Sequence, residues 1–222
     1  MSSALELEGI HFAYPGRPPV LAGAALTVGA ADRIALVGPN GSGKSTLLRI
    51  AVGLLRPSAG QVTGFGRLCR TEADFQALRR DVGLVFQDPD DQLFCPTVIE
   101  DMAFGPLNLG QSRAQALATS EAVLEELDLM HLRNRVTHHL SGGEKRLVTL
   151  ATVLAMRPKV LLLDEPTNAL DPDNAERLLS ILRGLDLALV MVSHDTAFRA
   201  QLELTEVHLS AGRVLPGATD AG

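Results

Sequence analysis

Gly38-Pro39-Asn40-Gly41-Ser42-Gly43-Lys44-Ser45-Thr46 is the stretch that decides the architecture. It fits the pattern G-x-x-x-x-G-K-[ST]. Successive backbone N–H groups can curl around phosphate oxygens only where bulky side chains are absent, hence the glycines. Lys44 brings a point charge suited to β- and γ-phosphates, and the Ser45 hydroxyl can ligate Mg²⁺. The context fits as well. Arg33 to Val37 reads as a short strand, and Ser45 to Leu55 carries apolar residues at helical period. The glycine loop therefore joins a strand to a helix.

Outward from this loop the chain alternates strands and helices. Leu5 to Tyr14, Ala24 to Val28 and a short stretch around Val62 read as strands separated by turns at Pro15 to Pro19 and Arg56 to Gly60. These opening strands look antiparallel and form a layer of their own. Val82 to Phe86, Val160 to Leu163 and Leu187 to Val192 are short apolar runs, the pattern of strands buried on both faces. Such alternation gives an α/β parallel sheet. Residues 97 to 133 are more helical, with capping-box spacing at Thr97/Glu100 and Ser112/Gln115. We expect one domain over 1–222. Its antiparallel β portion spans about 1–30 and 60–70, its helical insertion about 92–140, and the parallel core the remainder.

Two further places carry chemistry. Leu161-Leu162-Leu163-Asp164-Glu165 sets two acids at the carboxyl end of a buried strand, where open α/β sheets bind ligands. Asp164 is suited to hold Mg²⁺ and Glu165 to polarise an attacking water. Ser141-Gly142-Gly143-Glu144 precedes the helical pattern Leu147 to Met156. Ser141 and Glu144 form a capping box, while the glycines leave first-turn N–H groups open to an anion. One nucleotide does not need two such sites in one domain, so this one is expected to face the nucleotide of another copy. Asp171-Pro172 reads as a helix N-cap with proline in the first turn.

The 222 residues are 46% hydrophobic and 21% charged with a net charge of −6, the profile of a folded globular chain. The acidic balance argues against nucleic acid as a partner. No apolar run approaches the ~20 residues of a membrane helix. The opening MSSALELEGIHF lacks a basic flank and a cleavage site, so residence in the cytoplasm is expected. Cys69 and Cys95 lack metal-ligand spacing and read as reduced thiols.

Together, the phosphate loop, Leu140-Ser-Gly-Gly-Glu144 and Leu161-Leu-Leu-Asp-Glu-Pro166 resemble the ATP-binding cassette family in order and spacing, over about residues 4 to 215. The resemblance implies a P-loop cassette with a RecA-like core, an antiparallel β subdomain and an inserted α-helical subdomain. It implies ATP hydrolysis with Mg²⁺ in a head-to-tail dimer, with itself or with a homologous ATPase. It also implies integral membrane transporter subunits as partners, at the cytoplasmic face of the membrane. It gives Tyr14 the adenine stack, Gln87 a contact with Mg²⁺ and the γ-phosphate, Asp171 the dimer seam and His194 the γ-phosphate switch. Gln87-Asp-Pro-Asp-Asp-Gln-Leu-Phe94 is similar to the energy-coupling-factor ATPases, especially cobalt and nickel importers; other cargoes such as a vitamin are the alternative. The acids of that stretch read as a solvated turn, and His138-His139 as an exposed loop pair, not as metal sites. Glu144 stands where the family more often has glutamine, and Asn168 departs from the commoner pattern before Asp171. The chain ends soon after His194, which leads us to expect a dimer resting more on ATP and partners.

Overall fold

The computed structural model describes residues 3–168 and 170–215. The opening strands form a four-stranded antiparallel sheet in the order β2-β1-β4-β5. It comprises β1 (Ser3–Ala13), β2 (Pro19–Gly29), β4 (Ala59–Gly64) and β5 (Arg67–Cys69). Along β1, Leu5, Leu7 and Ile10 are buried and Glu8 and His11 exposed; a bulge between Leu7 and Ile10 resets the alternation.

The second sheet has the order β10-β9-β3-β8-β7-β6. Its centre is β3 (Arg33–Val37), β7 (Val160–Asp164) and β8 (Ala188–Val192). β6 (Val82–Val85) lies at one edge, and β9 (Thr205–Ser210) with β10 (Arg213–Leu215) at the other. β3 pairs in parallel with β8 and β9, and β7 in parallel with β8. β7 and β8 are buried at every residue, which is why their sequences are unbroken apolar runs. Because β3, β7 and β8 are parallel, Val37, Asp164 and Val192 end at one edge of the sheet.

Helix α1 (Lys44–Ala51) starts directly after the glycine loop and stops one turn earlier than its apolar pattern suggests. Gly53, with φ of +74°, takes the chain out of it. Helix α2 (Glu72–Leu78) and helix α7 (Thr196–Gln201) are short, capped by Thr71 and Asp195. The remaining helices are α3 (Val98–Asn108), α4 (Arg113–Glu126), α5 (Gly142–Leu154) and α6 (Pro172–Gly184). The expected reciprocal bonds are present at Ser112/Gln115 and Ser141/Glu144, and the Glu100 carboxylate accepts from Thr97.

The chain forms two compact units. The first gathers residues up to Leu84, Lys159–Asp164 and those from Asp186 onward. The second gathers Val85–Pro158 and Glu165–Leu185. In the second, Met102, Leu124, Leu129, Leu132, Leu147 and Val148 form the core. Gly105 lets α3 approach α5, since a Cβ there would lie 2.6 Å from Met156 Cγ.

Candidate functional site

In the first unit the glycine loop leaves β3 and opens α1. Gly38 cannot be replaced within this geometry: its φ is +153°, and a Cβ would sit 2.2 Å from the Leu209 carbonyl oxygen. The Lys44 ammonium is nearly buried and folds back inside the loop, donating to the carbonyls of Gly38 (2.8 Å) and Pro39 (3.0 Å). The Ser42 hydroxyl is buried without a hydrogen-bond partner. An orphaned hydroxyl and a confined cation in a glycine loop are what a phosphate would complete.

The end of β7 meets this loop. Asp164 is buried, and its Oδ1 accepts a 2.8 Å hydrogen bond from Ser45 Oγ across 119 positions of sequence. Two hard oxygens from β7 and α1 therefore sit within the span of one Mg²⁺ coordination sphere, and the residues fit that ion. Tyr14, at the end of β1, shares a 3.1 Å hydrogen bond with Thr46 Oγ1 and packs edge-on against Phe12. His194 is exposed just beyond β8. Glu165, next along the chain from Asp164, is buried and has a φ of +49°, the left-handed region.

The second unit holds the remaining expected residues. Ser141 caps α5: Glu144 N donates to Ser141 Oγ (3.2 Å) and Ser141 N to Glu144 Oε2 (2.7 Å). The Ser141 N–H, and after it the Ser141 hydroxyl, hold the Glu144 carboxyl below its usual range. Gly142 is exposed with open space where a side chain would be. Gly143 has a packing reason as well as an anion-binding one, since a Cβ would strike the Asn174 side chain at 2.3 Å. Asn174 also donates from its backbone and side chain to Asp171, the α6 cap, and lowers the Asp171 pKa. Asp171 and the second glycine of the Ser141 cap thus meet the same asparagine.

Gln87 is exposed at the end of β6. The acids after it lie in a turn and are exposed, as the sequence suggests, but the turn is tied down. Pro89–Asp91 forms a 3-10 turn capped by Asp88, and Asp90 pairs with Lys145 of α5 at 2.6 Å. Gln92 accepts from Phe86 N and donates to Thr149 O and Thr152 Oγ1. The motif is polar because it is stitched to α5. Neither these acids nor the exposed His138 and His139 form a cluster able to hold a metal among the described residues.

Sequence reasoning missed Asn174 and also Arg146 and Gln92, which reach carbonyls and a hydroxyl far along the chain. It also missed the apolar patch of Phe94, Phe104 and Leu107, where the two rings stack edge-to-face. Buried Asp101 accepts from the N–H groups of Phe94 and Cys95, and burial raises its pKa. Burial, with Asp101 beside it, pushes the Cys95 thiol up to about 11, so both expectation and environment keep it protonated.

The family model described as "ABC transporter" matches residues 21–168. A "Putative ABC transporter ATP-binding protein" of Brucella suis is 53% identical over 97% of this chain and 90% of its own length. A "Cobalt import ATP-binding protein" of Rhodobacter capsulatus is 47% identical over 97% of this chain and 78% of its own. Among solved structures, cbiO1 of Clostridium perfringens, titled as part of the transporter complex cbiONQ, superposes with a TM-score of 0.82. It is 31% identical, over 97% of this chain and 88% of that one.

Proposed function

This chain belongs to the ABC transporter family as an ATP-binding ATPase subunit, and on that premise we propose that it powers import of cobalt or nickel ions. The observation that carries the catalytic reading is the Ser45–Asp164 hydrogen bond beside the confined Lys44. Lys44 and the loop N–H groups bind the β- and γ-phosphates. Mg²⁺, held by Ser45 and Asp164 with Gln87, would neutralise charge on the phosphates. Glu165 polarises the attacking water, His194 contacts the γ-phosphate, and Tyr14 stacks on the adenine. Ser141, Gly142, Gly143 and Glu144, with Asp171, face the nucleotide of a second cassette, in a homodimer or with a homologue.

No helix among the described residues is long and apolar enough to cross a membrane. In this reading the work of ATP-driven closure is delivered to membrane subunits at the cytoplasmic face, with the exposed Phe94, Phe104 and Leu107 as contact surface. The metal ion is cargo for those subunits. The cobalt-importing relative and the Gln87–Phe94 stretch support this cargo.

The test has two arms. Glu165→Gln should keep ATP binding and nearly abolish turnover; unchanged hydrolysis would remove Glu165 from its role. Tagged chain purified from its native membranes should carry a multi-span protein with a small metal-binding membrane subunit. A vitamin-binding subunit instead would change the cargo, and recovery of only soluble ribosomal or DNA proteins would end the transport reading.

A further inference from the structure

We propose that Arg146 is a positioning residue that locks the loops carrying Gln87 and Glu165, together with the start of the segment leading to Asp171, into one catalytic arrangement. The inference rests on the roles proposed above for Gln87 and Glu165. Arg146 lies on α5, just after the Ser141 cap, and is 7% exposed. Its guanidinium donates to three main-chain carbonyls: Gln87 O (Nη1, 2.6 Å), Glu165 O (Nη1, 3.4 Å) and Asn168 O (Nη2, 3.1 Å). All four residues belong to the second unit.

This is an unusual use of a buried charge. Arg146 Nε is buried and finds no partner, and no carboxylate hydrogen-bonds the guanidinium among the described residues. Burial lowers its pKa, while nearby Asp88 and Glu165 oppose that. A methionine or leucine would fill the space without the desolvation cost. What only the planar fork supplies is several donors in fixed directions. They reach backbone, so the positions of the loops are fixed whatever their side chains do.

The loop ends need fixing. Glu165 has a φ of +49°, a conformation that favours glycine. Its carbonyl is drawn toward the same Nη1 that holds Gln87. A shift of the loop after β6 therefore moves the donor on which the turn after β7 depends. The ion pair Lys145–Asp90 and the Gln92 bonds bind the first loop to the same helix, so α5 is the common frame.

The test compares Arg146→Met, Arg146→Lys and Glu165→Gln in the full chain. Arg146→Met should lower kcat tenfold or more while ATP affinity changes less than twofold, because the phosphate loop is untouched. Arg146→Lys, which can satisfy part of the carbonyl set, should recover part of that kcat. Amide exchange should speed up together at residues 87–92 and 165–168 and remain unchanged in the antiparallel sheet. If Arg146→Met does not fold, the lysine variant carries the test through the same kcat and exchange readouts. Wild-type kcat in a folded variant, or a kcat loss matching the unfolded fraction alone, would overturn the clamp. Full activity of Glu165→Gln would instead overturn the underlying role of Glu165, whatever the arginine variants do.

Discussion

At the scale of single residues, the phosphate loop makes the sharpest demands. Lys44→Ala removes a cation already placed inside the loop. Charge-assisted hydrogen bonds contribute about 1.5–3 kcal/mol, so ATP affinity should fall by roughly tenfold to a hundredfold in calorimetry. Asp101 gives a pH prediction. Burial raises its pKa above the ordinary 3.8, and its Oδ2 is buried without a partner. The folded chain holds this proton to higher pH than the unfolded chain. Its contribution to stability is thus complete below the ordinary carboxylate value and is lost as pH rises through the folded value. Asp101→Asn keeps an acceptor for Phe94 N and Cys95 N but cannot ionise. The stability of the wild type relative to this variant should therefore decline as pH rises above about 4, as urea melts at a series of pH values would show.

At the scale of elements, the loop between β6 and α3 is held by contacts to α5 as well as by its own hydrogen bonds. Gln92→Ala would leave the Phe86 N–H without its acceptor and remove two donors from α5. Each orphaned buried group costs about 1–3 kcal/mol, so the unfolding free energy from urea melts should drop by a comparable amount while the nucleotide affinity of the first unit holds. The parallel strands and capped helices were legible because their signals are local: apolar runs for β7 and β8, S/T-x-x-E/Q for the helix starts. Helix α2 and strands β9 and β10 were not read. Thr205–Ser210 exposes most of its residues, so it has no apolar run, and pairing with β3 and β10 makes it a strand. The phosphate loop, Asp164, Glu165 and the Ser141 cap were readable for the same local reason, whereas Tyr14, Gln87, His194 and the seam role of Asp171 came only from the family resemblance. Arg146 and Gln92 were not, because their significance lies in carbonyls and hydroxyls brought to them by the fold.

At the scale of the molecule, the glycine loop belongs to one compact unit and the Ser141 cap to the other. A second copy would complete each nucleotide site by presenting its own cap. Glu165→Gln with ATP should therefore run as a dimer in light scattering and return to monomer when ATP is removed. A dimer unaffected by nucleotide would contradict that assembly. Phe94→Ser with Phe104→Ser should leave basal ATP turnover intact while losing the membrane subunits in purification, since it alters only an exposed patch. The composition adds a practical point. Tyr14 is the only tyrosine and there is no tryptophan, and its hydroxyl is bonded to Thr46 beside the phosphate loop. Ultraviolet emission from the whole protein therefore originates essentially at one ring, and the native chain is its own optical reporter for nucleotide arrival, without a label or an introduced fluorophore.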